Sequence, residues 1–239
     1  MIRLPDLAIT RDEFQEVKVY QEVKTWLEHQ DAERSDSIHA SDLPDPRLAY
    51  WKRKAPKEIT ERQVWFYSIG KVLHNLVLIL EGEQTDTGTH TELDILFSPD
   101  RIQNGEPVEL KTHRGFREPT ITQLQAEFSH YFEQLLTYCI LKNSLVGHLW
   151  VLFINLKDRT GRTFPEIRCY TVTITEEQFY SIEASVLEPR DQLRLALDKE
   201  DHTSLPLCRS WLCGDNCAWY NVCKPGGRWP QKDRRSWTA

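Results

Sequence analysis

The chain has 239 residues, of which 40% are apolar, so it is long enough to bury a core in one large domain. Its formal net charge of −6 is not that of a protein that binds nucleic acid over its whole surface, although a local basic patch can still bind phosphate. No signal-peptide pattern opens the sequence, and the longest apolar stretch, 145–156, is too short and too polar to span a bilayer. We therefore expect a soluble, cytoplasmic protein with no membrane partner.

The first part of the chain contains two predicted helices and a predicted strand. Apolar residues recur at three- and four-residue spacing over 11–30 and again over 58–80, which predicts a helix in each range. Residues 31–46 lie between the two helices and are polar and rich in turn-forming residues. Alternation over 91–98 predicts a strand that directs Asp94 away from its apolar neighbours.

A tight turn is predicted next, at the Asn-Gly pair of 104–105. The strand predicted after it, 107–112, has Glu109 and Lys111 on one face because side chains alternate along a strand. A hairpin of suitable register would bring Asp94 beside both of these residues. The sequence therefore predicts a cluster of two carboxylates and one lysine on a sheet face.

The rest of the chain alternates between helices and strands. Residues 121–142 form a predicted amphipathic helix on which Gln134 and Tyr138 share a face, since they are four residues apart. Three further elements are predicted in the order strand, strand, helix, at 147–155, 167–174 and 176–197. This order indicates an α/β fold in which helices pack on a mixed sheet.

Cysteines are concentrated near the end of the chain. Four of the six lie within sixteen residues, at Cys208, Cys213, Cys217 and Cys223. Thiolates converging from one short segment suit zinc or iron, and in an intracellular protein clustered cysteines favour metal binding over disulfides. Cys139 and Cys169 lie on a predicted helix and strand among apolar residues, and we expect both to be inert core residues.

The carboxylates and the lysine are the residue types that metal-dependent phosphodiester hydrolysis requires. A divalent metal lowers the pKa of the attacking water and polarises the phosphate. Magnesium and manganese prefer oxygen ligands, which Asp94, Glu109 and the carbonyl of Leu110 can supply. Lys111 is positioned to orient the water or to stabilise the transition state. Taken alone, Glu-x-Lys is equally the pattern of an exposed salt bridge, so the neighbouring motifs must carry the argument.

The motifs occur in an order that resembles the PD-(D/E)XK superfamily, and in particular its RecB-type nucleases. They are Gly70-x-x-x-His74, Leu93-Asp94, Glu109-Leu110-Lys111 and Gln134-x-x-x-Tyr138. The resemblance implies a restriction-endonuclease-like mixed central sheet flanked by helices. It also implies metal ligation by His74, Asp94 and Glu109, catalysis by Lys111, and supporting roles for Gln134 and Tyr138. A histidine ligand makes manganese more competitive with magnesium.

The cysteine-rich tail resembles that of RecB-type nucleases with an iron–sulfur cluster, which include the CRISPR-associated exonucleases, the AddB nuclease domain and related viral exonucleases. In that family three C-terminal cysteines are joined by one upstream, often in a Cys-Pro-Arg motif. Here Asp45 stands where that cysteine would be. The resemblance therefore implies a [4Fe-4S] cluster whose fourth ligand is either Cys208 or Asp45. Zinc bound by four local thiolates is the alternative.

The sequence thus predicts a metal-dependent deoxyribonuclease, acting as an exonuclease on single-stranded DNA ends, with a structural iron–sulfur cluster. A non-catalytic DNA-binding or adaptor subunit and a zinc-stabilised restriction-type endonuclease are the alternatives. Expected partners are DNA and, depending on the pathway, a CRISPR integrase or recombination proteins; a viral setting is also open. We expect an N-terminal helical and linker segment at 1–57, a nuclease core at 58–200, and a cysteine-rich tail at 201–239 that packs on the core.

Overall fold

The computed structural model describes most of the chain from residue 37 to residue 223. The described residues are 37–57, 64–65, 67–72, 88–90, 93–115, 117–157, 160–208, 217–223 and six isolated positions between 17 and 27. The isolated positions and residues 64–65 and 67–72 are helical, in agreement with the helices predicted around them. Within the described residues, no helix is both long and apolar enough to cross a membrane.

The centre of the fold is a mixed four-stranded sheet in the order β3-β4-β5-β6. Its strands are β3 (Arg101–Gln103), β4 (Glu106–His113), β5 (Val146–Lys157) and β6 (Thr163–Thr173). The inner pair, β4 and β5, is parallel, and each of these strands has an antiparallel partner on its other side. The three longer strands are those that alternation predicts.

The predicted turn at 104–105 is confirmed, but it joins a different pair of strands. Asn104 and Gly105 have φ angles of 54° and 86°. Positive φ angles at both residues allow a two-residue turn to match the right-handed twist of the strands that it joins. The strand that it pairs with β4 is β3, and not the segment 91–98. Of the described residues of that segment, 93–98, only Ile95–Phe97 forms a strand, β2, because Leu93 and Asp94 lie in a turn. Pro99, which follows, cannot extend a ladder of hydrogen bonds.

Strand β2 belongs to a second, two-stranded sheet. It pairs antiparallel with β1 (Gly88–His90), with Leu96 opposite Thr89. On its other side, the backbone N–H of Leu96 donates to the carbonyl of Ile38 at 2.8 Å. The segment that precedes the first helix is therefore tied to β2.

Helices cover the sheet. In chain order, the α-helices with bounds inside the described residues are α1 (Pro46–Lys54), α2 (Ile121–Glu127), α3 (Ser129–Leu141), α4 (Glu176–Asp198) and the short α5 (Tyr220–Cys223). The helix predicted over 121–142 is divided at Phe128, whose φ and ψ of −110° and 28° are not helical. The predicted helix at 176–197 is confirmed and begins at Thr175, whose hydroxyl accepts the backbone N–H of Gln178 at 3.2 Å.

Helix α3 lies between two parts of the core. One side packs on β5 and buries Leu135 and Cys139 against Leu149. The other side packs near α1, α4 and β2, and contributes Tyr138 to a cluster with Ile95. A mixed sheet flanked by helices in this order is the restriction-endonuclease-like fold that the sequence predicts.

The two isolated cysteines differ in their environments. Cys139 is 1% exposed, and burial raises the pKa of its thiol to about 12, so the predicted inert core residue is confirmed there. A Cβ atom at Gly147 would lie 2.6 Å from Cys139 Sγ, so the glycine allows α3 to approach β5. Cys169 is exposed on β6, and the prediction of a core position is wrong for it because β6 is at the edge of the described sheet.

Candidate active site

Strand β4 carries the centre of the site. Its alternation places Glu109 and Lys111 on the same face, opposite Leu110. The Glu109 side chain is fully buried, and its Oε1 forms an ion pair with Lys111 Nζ. Apart from this ion pair, neither oxygen of Glu109 accepts a hydrogen bond from the described residues.

A second carboxylate, that of Asp100, lies beside Glu109. The backbone N–H of Leu110 donates to Asp100 Oδ2 at 2.6 Å, which fixes this side chain against β4. Asp100 is close enough to Glu109 for its charge to raise the pKa of that carboxyl. Asp100 is not among the residues predicted from the sequence. The signal was available, because Pro99-Asp100 supplies the Pro-Asp of the superfamily pattern nine residues before Glu109.

The electrostatics of this pair favour a bound cation. Burial raises the pKa of Glu109 to about 8; the charge of Asp100 adds to this rise, and Lys111 opposes it. A buried carboxylate without enough hydrogen bonds is costly unless a cation compensates it. Oxygen donors from two carboxylates suit magnesium or manganese, so the residues present fit such an ion.

Lys111 is held from helix α3. Its Nζ donates to Gln134 Oε1 at 3.1 Å, and Gln134 Nε2 donates to the Tyr138 hydroxyl at 2.9 Å. Tyr138 is 3% exposed and is therefore held in place by packing. Because its hydroxyl binds the nitrogen of the Gln134 amide, the oxygen of that amide faces the lysine. Burial alone would lower the pKa of Lys111, but the charges of Glu109 and Asp100 outweigh it and the pKa is raised. Lys111 therefore remains a cation.

The structure joins Asp94 to helix α4. Asp94 lies in an exposed turn before β2 with a φ of 48°, and its carboxylate pairs with Arg194. Arg194 also donates to the Asp94 carbonyl at 3.1 Å, while Arg190 donates to the carbonyl of Leu93 at 2.7 Å. The contacts of Asp94 are therefore those of a residue that docks the turn on α4. Its predicted role as a metal ligand stays a prediction.

The other predicted ligands are in different situations. His74 lies outside the described residues. Leu110 is 2% exposed, with its side chain on the opposite face from Glu109 and its N–H bound to Asp100. Among the described side chains, no group of three or more histidines, cysteines and carboxylates could hold a metal ion. Asp100 and Glu109 thus supply two donors, and a complete site needs ligands beyond them.

The cysteine-rich tail is described on both sides of a gap. Cys208 is 7% exposed, Cys217 and Cys223 are half-buried, and none of the three forms a disulfide. Cys213 lies outside the described residues. Asp45 is the residue that precedes helix α1. The predicted roles of these five residues as ligands of a cluster stay predictions.

Helix α1 docks on this tail through Arg47. The side chain is 7% exposed and donates through Nη2 to the carbonyls of Thr203, at 3.1 Å, and Leu205. Its Nη1 lies 3.9 Å from Cys223 Sγ. Farther along, Trp219 Nε1 donates to the carbonyl of Ala55 at 2.7 Å. The segment after Asp45 is thus bound to the tail through hydrogen bonds.

Comparisons with known proteins show the fold. No protein-family model matches the sequence, and no curated protein matches it. The structure is similar to the crystal structure of SSO0001, with a TM-score of 0.51 and 15% identity over 74% of this chain and 86% of that one. This similarity, with the mixed sheet described above, defines a restriction-endonuclease-like α/β protein.

Two further similar structures are of one enzyme. The alkaline exonuclease LHK-Exo from Laribacter hongkongensis has a TM-score of 0.40 and 15% identity over 69% of this chain and 91% of that one. LHK-Exo in complex with dAMP has a TM-score of 0.38 and 16% identity over the same shares of the two chains.

Proposed function

We propose that this protein is a divalent-metal-dependent deoxyribonuclease. The observation that supports this most is the Glu109 carboxylate, fully buried beside Asp100 and paired with Lys111. Magnesium or manganese would be held by Asp100 and Glu109. The family resemblance adds His74, and it implies Asp94 where we propose Asp100. The carbonyl of Leu110 is a further donor. The bound ion would polarise the phosphate and make water a better nucleophile.

The protein's own residues prepare this chemistry in two ways. Lys111 stays protonated beside the carboxylates, so its Nζ can contact the scissile phosphate and stabilise the negative charge that develops there. Gln134, oriented by Tyr138, restricts where Nζ points. Burial and the charge of Asp100 raise the pKa of Glu109, so binding of a cation would be coupled to the loss of a proton from this carboxyl.

The finer features of the proposal come from the family resemblance. They are exonuclease action, a preference for single-stranded DNA ends, and association with proteins of CRISPR integration or recombination. The test is cleavage of three DNA substrates, namely a linear single strand, a linear duplex and a closed circle, with manganese, magnesium or EDTA. We expect metal-dependent loss of the linear single strand first. Binding of DNA without cleavage in either metal would identify a non-catalytic subunit, and cleavage of the closed circle would identify an endonuclease.

We also propose that Cys208, Cys213, Cys217 and Cys223 hold a structural [4Fe-4S] cluster. The absence of disulfides at the three described cysteines, and the docking of α1 beside Cys223, are compatible with a metal centre here. Protein purified without oxygen should contain about four irons per chain. Iron loss in Cys208→Ala but not in Asp45→Ala would show that Cys208 is the fourth ligand and that all four ligands lie in the cysteine-rich tail. The reverse result would identify Asp45 as the fourth ligand. A colourless protein with one zinc per chain would refute the iron–sulfur assignment.

A further inference from the structure

A row of aromatic rings leads from the core towards Lys111. Phe153 is fully buried, and Phe128, 6.2 Å from it between ring centroids, is 2% exposed. Tyr131 follows at 5.1 Å from Phe128, and His130 at 4.1 Å from Tyr131. Tyr131 and His130 are only half-buried. The row is therefore fixed at its inner end and accessible at its outer end.

Tyr131 adjoins the candidate active site. Lys111 Nζ lies 5.9 Å from the centre of its ring. The ring is half-buried, with Phe128 and His130 as its aromatic neighbours. Burial raises the pKa of the Tyr131 hydroxyl, so the side chain is neutral at physiological pH. A half-buried, neutral aromatic side chain beside the active-site lysine is suited to contact a ligand.

We propose that Tyr131 stacks on the nucleobase next to the scissile phosphate, so that this site accepts an unpaired strand. The inference rests on the proposed nuclease function. A phosphate held by Lys111 brings its own nucleotide within reach of the adjacent ring. In a duplex each base face is covered by its neighbours, whereas an unpaired base can stack on an aromatic side chain. Phe128 and Phe153 hold the ring in place, so little freedom is lost on binding.

A positioning role through Lys111 is the competing explanation. A cation beside an aromatic face is attracted to it, so Tyr131 could act only by holding the lysine. The two roles affect different parameters. Loss of a stacking contact weakens substrate binding and raises KM, whereas loss of lysine positioning lowers kcat.

The experiment compares Tyr131→Leu with Tyr131→Phe, which retains the ring. Tyr180→Leu is the control, because Tyr180 is an exposed tyrosine on α4, 67% accessible. Affinity for a labelled single strand is measured by fluorescence anisotropy without metal, and KM and kcat are measured with manganese. Stacking on one base corresponds to about 5- to 150-fold in affinity, so Tyr131→Leu should weaken binding and raise KM within that range. Tyr131→Phe and Tyr180→Leu should stay close to wild type.

A series of strands with one abasic position tests the contact directly. At one position of the strand, loss of the base should weaken binding to the wild type. The same loss should not weaken binding to Tyr131→Leu, because that variant already lacks the stacking contact. Unchanged affinity and KM in Tyr131→Leu, or a lower kcat alone, would overturn the stacking role while metal-dependent cleavage by the wild type upholds the nuclease function. Weaker binding by Tyr131→Leu in a protein that cuts nothing would refute the nuclease function, and with it the place of Tyr131 beside a scissile phosphate, and would leave Tyr131 as a base-stacking residue of a DNA-binding protein. A wild type that binds no single strand would overturn both.

Discussion

The carboxylate of Asp100 lies beside that of Glu109, whose pKa its charge raises, and is fixed there by the backbone N–H of Leu110. Two carboxylates so close together, one of them the fully buried Glu109, repel each other unless a proton or a cation is shared between them. The pair therefore defines the place on the described surface of β4 where a divalent ion would be most strongly bound.

Asp100→Asn and Asp94→Asn form a matched pair of substitutions. We expect Asp100→Asn to lose several orders of magnitude in kcat/KM, together with the thermal stabilisation that manganese gives the wild type, because a charged oxygen donor is removed. Asp94→Asn should retain most activity, since its carboxylate pairs with Arg194 in an exposed turn. Loss of activity in Asp94→Asn with full activity in Asp100→Asn would instead assign the ligand role to Asp94.

The stability of the metal-free protein should depend on Glu109. Its pKa is about 8 in the folded protein and 4.5 as the ordinary value, so between these limits the folded state binds the extra proton. Stability therefore falls as pH rises from about 5 to 8. Glu109→Gln should flatten this fall, as measured by urea unfolding at several pH values. Manganese should restore stability at pH 8 in the wild type only. If the free energy of unfolding fell equally with pH in the wild type and in Glu109→Gln, the raised pKa of Glu109 would be contradicted.

Gln134 and Tyr138 should affect turnover more than binding. Gln134→Leu removes the acceptor of Lys111 Nζ, and we expect a loss of about 10- to 100-fold in kcat with little change in DNA affinity. Tyr138→Phe keeps the buried ring and loses only the bond to the Gln134 amide, so its effect should be smaller. A larger effect on affinity than on kcat in Gln134→Leu would show that Gln134 serves the substrate and not the lysine.

Arg47 should hold the tail against α1. Arg47→Met leaves the carbonyls of Thr203 and Leu205 without this donor, at a cost of about 1–3 kcal/mol. Compared with the wild type, Arg47→Met should therefore show faster proteolysis and faster hydrogen exchange in residues 201–208 and 217–223. Lys54→Met is the control, since it removes only an exposed pair between α1 and Glu200. Equal protection of the tail in both variants would show that Arg47 is not needed for docking.

Periodicity predicted the long elements well because burial on one face repeats along them. The strands around Glu109 and the helix that starts at Glu176 both follow this rule. The turn at 104–105 followed from the φ angles that Asn-Gly tolerates. A turn does not specify which strands it joins, however, and the strand that was predicted over 91–98 pairs with β1 through Ile95–Phe97.

The ligand pair was harder to predict for the same reason. Alternation assigns a face to Glu109. Which acidic residue lies opposite it, however, depends on the strand that pairs antiparallel with β4. That strand is β3, so the neighbouring carboxylate is Asp100 and not a residue of the 91–98 segment. The break at Phe128 carries no glycine or proline signal, and the exposure of Cys169 depends on β6 being an edge strand, which local periodicity does not reveal.

The most direct test is the rate of manganese-dependent cleavage of a linear single strand by wild type, Lys111→Ala and Glu109→Gln, with DNA affinity and urea unfolding measured on the same preparations. We predict metal-dependent cleavage by the wild type. Both variants should lose several orders of magnitude in rate and remain folded, with most DNA affinity retained in Lys111→Ala. Full activity in Lys111→Ala, or a loss of only two- or threefold in either variant, would contradict an active site built on Glu109 and Lys111.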